Sequence, residues 1–169
     1  MHRLAAEDAC QLSNRYPSDK YLLTAEQCSE ALLTQVFSPR IAAPEVFRQF
    51  VYAWLTGNGD LHAKNLSIVE NRKGQYELSP IYDIPSTAPY RDKSMALLLS
   101  GKKDGLSRRR FLTFAHNIGV SSRVAEHVLE EVLTGTEHLA EQAREELPFD
   151  SHRMKELLKV LKNRRRSLL

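Results

Sequence analysis

The sequence predicts one mainly α-helical domain with a short β-hairpin near its middle. Three observations support this class: apolar residues recur at helical spacing over most of the chain, one short β-rich pair of segments is joined by a turn, and the length of 169 residues suits a single domain. Hydrophobic residues make up 42% and charged residues 27%, which excludes collagen-like and wholly disordered chains.

The first predicted helices lie in residues 24–57. Thr24 and Gln27 have capping-box spacing, so a helix is expected from Thr24 to about Phe37. Pro44 suits a first helical position, and the helix it begins is expected to end at Gly57. An apolar stripe on that second helix predicts a core-facing side, formed by Val46, Phe47, Phe50, Val51, Trp54 and Leu55.

After Gly57 the pattern changes from helix to loop and hairpin. Strands are expected at 66–69 and 75–78, with a turn at 71–74 between them. Three prolines make residues 79–93 irregular. The last third is predicted to hold helices that begin near Ser107, near Ser121 or Ser122, and near Asp150 or Ser151, with Gly119 ending the first and Gly135 interrupting the second.

Composition also narrows the setting of the protein. The apolar runs are shorter than the roughly 20 residues of a membrane helix, and the opening residues 1–14 are polar and charged, so the chain is expected to be cytoplasmic and not bound to a membrane. Cys10 and Cys28 are expected to be buried, reduced thiols in helices.

The net charge of +3 conceals separate acidic and basic stretches. Residues 124–150 are acidic, whereas 151–169 are basic, and a second basic cluster contains Lys102, Lys103 and Arg108. Basic clusters attract phosphates, so these three residues are candidates for nucleic-acid contact. Solvated charge near a helix start or a chain end is the stronger explanation of each basic run taken alone.

The strongest chemical signal is the loop 59–65 together with Asp83. Asp60 and Asn65 have the spacing of a kinase catalytic loop, and Asp83 follows the hairpin where a metal-binding aspartate is expected. His62 and Lys64 lie between them and are suited to ordering the loop or neutralising phosphate. The structural alternative is a turn-capping aspartate, a strand-starting asparagine and an ordinary turn aspartate.

These segments resemble one family. The runs NGDLHAKNLSI and LSPIYDIPST, and the opening HRLAAEDACQL, are similar to the C-terminal lobe of HipA-like serine/threonine kinases, the toxins of bacterial HipBA toxin–antitoxin systems. The looser loop pattern also occurs in aminoglycoside phosphotransferases and lipid kinases, but the Tyr82-Asp83-Ile84 context favours HipA.

The resemblance implies a protein-kinase-like helical C-terminal lobe over residues 1–169. It implies ATP and Mg²⁺ as cofactors, Asp60 as the catalytic aspartate, Asn65 and Asp83 as Mg²⁺ ligands, and His62 and Lys64 beside the cofactor. It also implies a protein substrate such as an aminoacyl-tRNA synthetase, a HipB-like helix-turn-helix antitoxin, and operator DNA bound through the antitoxin complex.

One part of a complete kinase has no counterpart in this sequence. It contains no Gly-x-Gly-x-x-Gly loop, so a nucleotide-cradling N-terminal lobe is expected to come from another polypeptide or from a longer product, and the chain alone is expected to be weak or inactive. Two other functions stay open. One is a non-catalytic antitoxin- and DNA-binding module, and the other is one lobe of a small-molecule phosphotransferase.

Overall fold

The computed structural model describes residues 4–90 and 92–169. Residues 1–3, which begin the opening segment, and Arg91 lie outside the described residues. The described chain forms seven α-helices and a small sheet, and the helical class with a hairpin is confirmed. The helices are α1 Ala9–Leu12, α2 Ala25–Leu33, α3 Pro39–Thr56, α4 Arg108–Asn117, α5 Ser122–Gly135, α6 Leu139–Glu146 and α7 Ser151–Leu168.

The predicted hairpin forms the larger part of a three-stranded antiparallel sheet. Strand β2 (Ser67–Glu70) pairs with β3 (Tyr76–Leu78), and Ile68 faces Leu78 in the register. The N-terminal strand β1 (Ala6–Asp8) pairs with the other edge of β2, so the strand order is β1-β2-β3. The sequence analysis did not foresee β1, since three residues are too short to show a strand period.

Two helix boundaries differ from the prediction. The predicted start of α3 at Pro44 is wrong: the helix begins at Pro39, and Pro44 lies inside it. Pro39 also suits the first helical position, and the burial of Ala42 and Ala43 stabilises the additional residues of the helix. Helix α2 ends at Leu33 rather than near Phe37, and the Phe37 N–H donates instead to the Tyr76 carbonyl oxygen of β3 at 2.9 Å.

Three other predicted helix ends are confirmed, whereas Ser107 and Ser121 lie at the N-cap positions of α4 and α5 without a side-chain cap hydrogen bond to the described residues. Thr24 Oγ1 accepts from the Gln27 N–H, and Gln27 Oε1 accepts from the Thr24 N–H, which completes the capping box. Asp150 caps α7 by accepting from the Arg153 N–H at 2.9 Å. Gly57 ends α3 in the left-handed conformation, with φ of 77°.

The core is built around α3, as its apolar stripe predicts. Phe50 packs edge-on against Phe114 of α4 with ring centroids 5.0 Å apart, and Phe47 and Trp54 contact Phe111. Helix α3 also packs against α2, α5 and α7, so its C-terminal end is held firmly where the loop 57–65 begins. Both cysteines are buried in this core, and their thiols are free.

A second, smaller core joins α6 and α7 to the segment after the hairpin. Ala88 is fully buried there against Ala143, Leu157, Val160 and Leu161. This packing fixes the far end of the irregular segment 79–93. None of the helices described here is both long and apolar enough to cross a bilayer.

Candidate active site

The loop 57–65 leaves α3 through a passage too narrow for any residue but glycine. The Gly59 N–H donates to Thr87 Oγ1 at 2.9 Å. A Cβ atom at Gly59 would lie 2.4 Å from Thr87 Oγ1 and 2.7 Å from the Ser94 carbonyl oxygen. The loop is therefore pressed against the segment that follows Asp83, and Gly59 is required by close approach.

Asp60 is half-buried and held by two neighbours. Its N–H donates to Asn58 Oδ1 at 2.8 Å, and its Oδ1 accepts a hydrogen bond from the Tyr21 hydroxyl at 2.8 Å. The Tyr21 hydrogen bond to Asp60 is the main reason that the pKa of Tyr21 is raised above its usual value. Asp60 thus presents a carboxylate whose orientation is set from both the backbone and the side chain.

Asn65 and Asp83 are brought into direct contact. Asn65 Nδ2 donates to Asp83 Oδ2 at 2.6 Å, and Asn65 Oδ1 accepts from the His62 N–H at 3.2 Å. Asn65 is buried, whereas Asp83 is exposed and has a positive φ of 53°, a conformation that non-glycine residues seldom adopt. The hairpin therefore returns Asp83 to the loop, although the two residues are 18 apart in the sequence.

The His62 side chain helps to hold the loop in place. Its Nε2 lies 2.9 Å from Lys20 Nζ, and an ammonium group can only donate, so Nε2 accepts and the ring proton lies on Nδ1. Nδ1 is buried and has no partner among the described residues. Burial, followed by the nearby charge of Lys20, lowers the pKa of His62, so the ring is neutral.

Lys64 points into solvent, and only its backbone is engaged. The Tyr82 hydroxyl donates to the Lys64 carbonyl oxygen at 2.7 Å, so the Ser67 hydroxyl, 2.5 Å away, must donate to Tyr82. Tyr82 thereby fastens the Asp83 segment onto the loop. The ammonium group of Lys64 has no ion-pair partner among the described residues.

The contacts form one continuous path through the predicted residues. It runs from Asp60 to Tyr21, by ring packing to His62 (centroids 5.2 Å apart), and on to Asn65 and Asp83. Lys20 and Tyr21 were missed by the sequence analysis. No motif marks them, and Tyr21 lies 39 residues before Asp60 in the chain.

The residue types of this pair suit a small divalent cation. Asn65 turns its Nδ2, which cannot bind a cation, towards Asp83 and its Oδ1 towards the His62 N–H, so Asp83 Oδ1 is the ligand that the geometry presents directly. An amide oxygen and a carboxylate are hard oxygen ligands, and Mg²⁺ takes few of them from protein because it keeps water and binds substrate phosphates. Asp83 Oδ1 has no hydrogen-bond partner among the described residues and is free to bind such an ion. The described residues contain no cluster of three or more His, Cys, Asp or Glu with metal-binding geometry, so a closed protein cage is not formed.

The three residues of the basic cluster have different surroundings in the folded chain. Arg108 donates to the Leu168 carbonyl oxygen at 2.9 Å and pairs with Glu126 and Glu130, so it ties α4 to α5 and α7. Lys102 is exposed in a turn that pairs with Leu99, and Lys103 is half-buried. Nucleic-acid contact by these residues stays a prediction, and the geometry favours Lys102 over Arg108.

One cavity among the described residues lies away from the loop. Its volume is about 480 Å³, and it is lined by residues of α6 and α7 together with Leu55 and Thr136. Asp60, Asn65 and Asp83 do not line it. In kinases the nucleotide lies between two lobes, so the corresponding face of one lobe is an open surface rather than a cavity.

Comparison with known proteins identifies the family. The model of the HipA-like C-terminal domain matches residues 1–140. This chain belongs to that family, so the resemblance noted in its sequence is confirmed.

Relatives agree with this assignment. A protein of Haemophilus influenzae named "Putative kinase" is 26% identical over 146 residues, which are 73% of this chain and 43% of that protein. "Putative kinase Y4mE" of Sinorhizobium fredii is 30% identical over 128 residues, which are 71% of this chain and 30% of that protein. The chain therefore spans less than half the length of these relatives.

A solved structure shows the same fold. The complex of HipA, HipB and operator DNA from Shewanella oneidensis contains a chain that matches with a TM-score of 0.74 and 19% identity, over 95% of this chain and 44% of the other. The family and this likeness establish a HipA-family, kinase-like fold.

Proposed function

We propose that this chain is the catalytic C-terminal lobe of a HipA-like serine/threonine protein kinase that acts in the cytoplasm. The observation that carries the proposal is the path of contacts from Asp60 to Asp83. Hydrogen bonds and one ring contact connect the predicted catalytic aspartate, Asp60, with the two predicted metal ligands, Asn65 and Asp83. A HipA-like N-terminal lobe, on the same or another polypeptide, would make most of the contacts to the base and phosphates of ATP.

Asp60 is the residue that receives the acceptor proton in this proposal. Its Oδ1 is occupied by Tyr21, and its Oδ2 has no hydrogen-bond partner among the described residues. A Ser or Thr hydroxyl placed at Oδ2 would be oriented for attack and would lose its proton to the carboxylate.

Asn65 and Asp83 are the residues that would hold Mg²⁺. When bound, the ion would neutralise charge that develops on the phosphates. His62 orients the Asn65 amide through its backbone N–H, and the solvent-facing ammonium of Lys64 is available to pair with a phosphate oxygen.

The partners in this proposal follow from the family. The solved relative is a complex of HipA, HipB and operator DNA. A HipB-like helix-turn-helix antitoxin, and operator DNA through it, are the corresponding partners here. A Ser or Thr of a protein such as an aminoacyl-tRNA synthetase is the proposed acceptor.

The test is phosphoryl transfer by this chain mixed with a HipA-like N-terminal lobe, ATP, Mg²⁺ and a protein substrate. Asp60→Asn should lower the rate by about 10²–10⁴, the range for removing a positioned general base. Asp104→Asn is the matched control, because Asp104 is an exposed carboxylate that accepts from the Gly105 N–H and is not part of the loop 57–65 or of the segment at Asp83. Full activity of Asp60→Asn would remove Asp60 from the mechanism, whereas no transfer by the unsubstituted mixture would leave the binding-module alternative.

Metal binding is tested on the chain alone. Mn²⁺ is a probe for the Mg²⁺ site, and the measurement is the shift in melting temperature as Mn²⁺ is added. Asp83→Asn should remove most of that shift, whereas Asp104→Asn should keep it. An equal shift in both variants would place the metal elsewhere.

A further inference from the structure

The segment just before α2 contacts the catalytic loop at four points. The Lys20 carbonyl oxygen accepts from the Ala63 N–H at 3.1 Å, and Lys20 Nζ bonds His62 Nε2 at 2.9 Å. The Tyr21 ring packs edge-on against the His62 ring, and its hydroxyl donates to Asp60 Oδ1. The Lys20 ammonium also lies 4.9 Å from the centre of the Tyr21 ring. Two consecutive residues therefore contact Asp60, His62 and Ala63, in the middle of the loop 57–65.

We infer that Tyr21 is a positioning residue for phosphoryl transfer: it fixes one carboxylate oxygen of Asp60 so that the other faces the acceptor hydroxyl. This inference rests on the proposed function. An aspartate side chain rotates about two bonds, and a hydrogen bond of a phenol to one oxygen removes that freedom before substrate arrives. Lys20 assists by fixing the His62 ring on which Tyr21 packs.

A contrasting interpretation is that the Tyr21 hydroxyl blocks the acceptor position and must leave before substrate binds. The four contacts argue against it, because movement of Tyr21 would break the ring packing and disturb the Lys20–His62 pair beneath it. The two interpretations predict opposite effects of removing the hydroxyl, so one variant separates them.

The variant is Tyr21→Phe, which keeps the ring and deletes only the hydroxyl. In the mixture with an N-terminal lobe, kcat should fall about 10-fold, as expected for a lost hydrogen bond to a charged group, while KM for ATP stays within twofold. Tyr16→Phe is the matched control, because Tyr16 lies in the same segment, is 79% exposed, and its hydroxyl makes no hydrogen bond to described residues. A rise in kcat would support the blocking interpretation and overturn ours.

A double-mutant cycle shows whether Tyr21 acts through Asp60. Tyr21→Phe should have almost no effect when Asp60 is already Asn, since the carboxylate to be positioned is gone. An equal loss in both backgrounds would overturn the inference while leaving Asp60 in the mechanism. If Asp60→Asn itself has no effect, it is the proposed function that fails.

The contact has a readout that needs no activity. In the chain alone, the ionisation of Tyr21 can be followed by ¹³C NMR of labelled tyrosine, with Tyr21→Phe identifying the signal. Asp60→Asn should lower the pKa of Tyr21, because the hydrogen bond to Asp60 raises it and the Lys20 ammonium opposes that rise. An unchanged pKa of Tyr21 in Asp60→Asn would show that the hydrogen bond is not made, and the inference would fall.

Discussion

Arg164 is buried in α7, and it forms no ion pair with a carboxylate of the described residues. It is 4% exposed, and its guanidinium donates to the Trp54 carbonyl oxygen at 2.9 Å and to the Lys93 carbonyl oxygen. Its Cζ also lies 4.1 Å from the centre of the Trp54 ring. One side chain thereby joins α7 to the end of α3 and to the segment that follows Asp83.

We predict that Arg164→Ala lowers the free energy of unfolding by about 3 kcal/mol. Two hydrogen bonds from a charged donor contribute about 1.5–3 kcal/mol each, and a desolvated cation–π contact adds about 2 kcal/mol. Against this, burial lowers the pKa of Arg164 to about 10, and a shift of that size corresponds to an opposing cost of about 3 kcal/mol. Since the folded pKa of this base lies below its unfolded value, the cost is fully present at neutral pH and diminishes only above pH 10.

Urea unfolding of the chain, followed by circular dichroism, measures this difference. A loss of about 3 kcal/mol corresponds to a fall in melting temperature of roughly 6–12 °C for a domain of this size. Arg166→Ala is the matched control, because Arg166 is exposed on the same helix and should change stability by less than about 0.5 kcal/mol. If Arg164→Ala behaves like Arg166→Ala, the bridge does not hold α7 in place and the reasoning is refuted.

Three further predictions concern the cap, the loop and the basic cluster. Thr24→Ala should destabilise the chain by about 1 kcal/mol in urea unfolding, whereas Ser121→Ala should change little, because Ser121 makes no side-chain cap hydrogen bond; equal losses would contradict the assignment. Gly59→Ala should lower both stability and phosphoryl transfer, because its Cβ would collide with a backbone oxygen; a stable, active variant would show that the loop can shift. Lys102→Ala should weaken antitoxin-dependent DNA association and reduce the slope of log association constant against log salt concentration by about 1. Arg108→Ala should mainly lower the urea concentration at the midpoint of unfolding. An unchanged slope in Lys102→Ala would show that Lys102 is only a solvated charge.

Features set by a few neighbouring residues could be predicted from the sequence. The capping box of Thr24, the cap at Asp150 and the left-handed end at Gly57 each depend on residues within about four positions of one another, and the hairpin depends on a short turn between two adjacent strands. The same holds for the spacing of Asp60 and Asn65, which comes from one loop. Their local chemistry favours one conformation before any tertiary contact forms.

Features that join distant segments were decided only by the tertiary structure. Strand β1 is too short to be recognised and exists because the edge of β2 accepts it. The start of α3 moved to Pro39 because burial of Ala42 and Ala43 outweighs the interior proline. Such gains depend on what packs against a segment, and propensity does not contain that information.

The site shows the same division. The sequence by itself named Asp60, Asn65 and Asp83 as candidates and placed the chain in its family, because the chemistry of a kinase loop requires those residue types at that spacing. It did not reveal that Tyr21 bonds Asp60 or that Arg164 anchors the segments on both sides of the site. A hydrogen bond between residues 39 or 110 positions apart has no local signature, since it arises only when tertiary packing brings the two segments together.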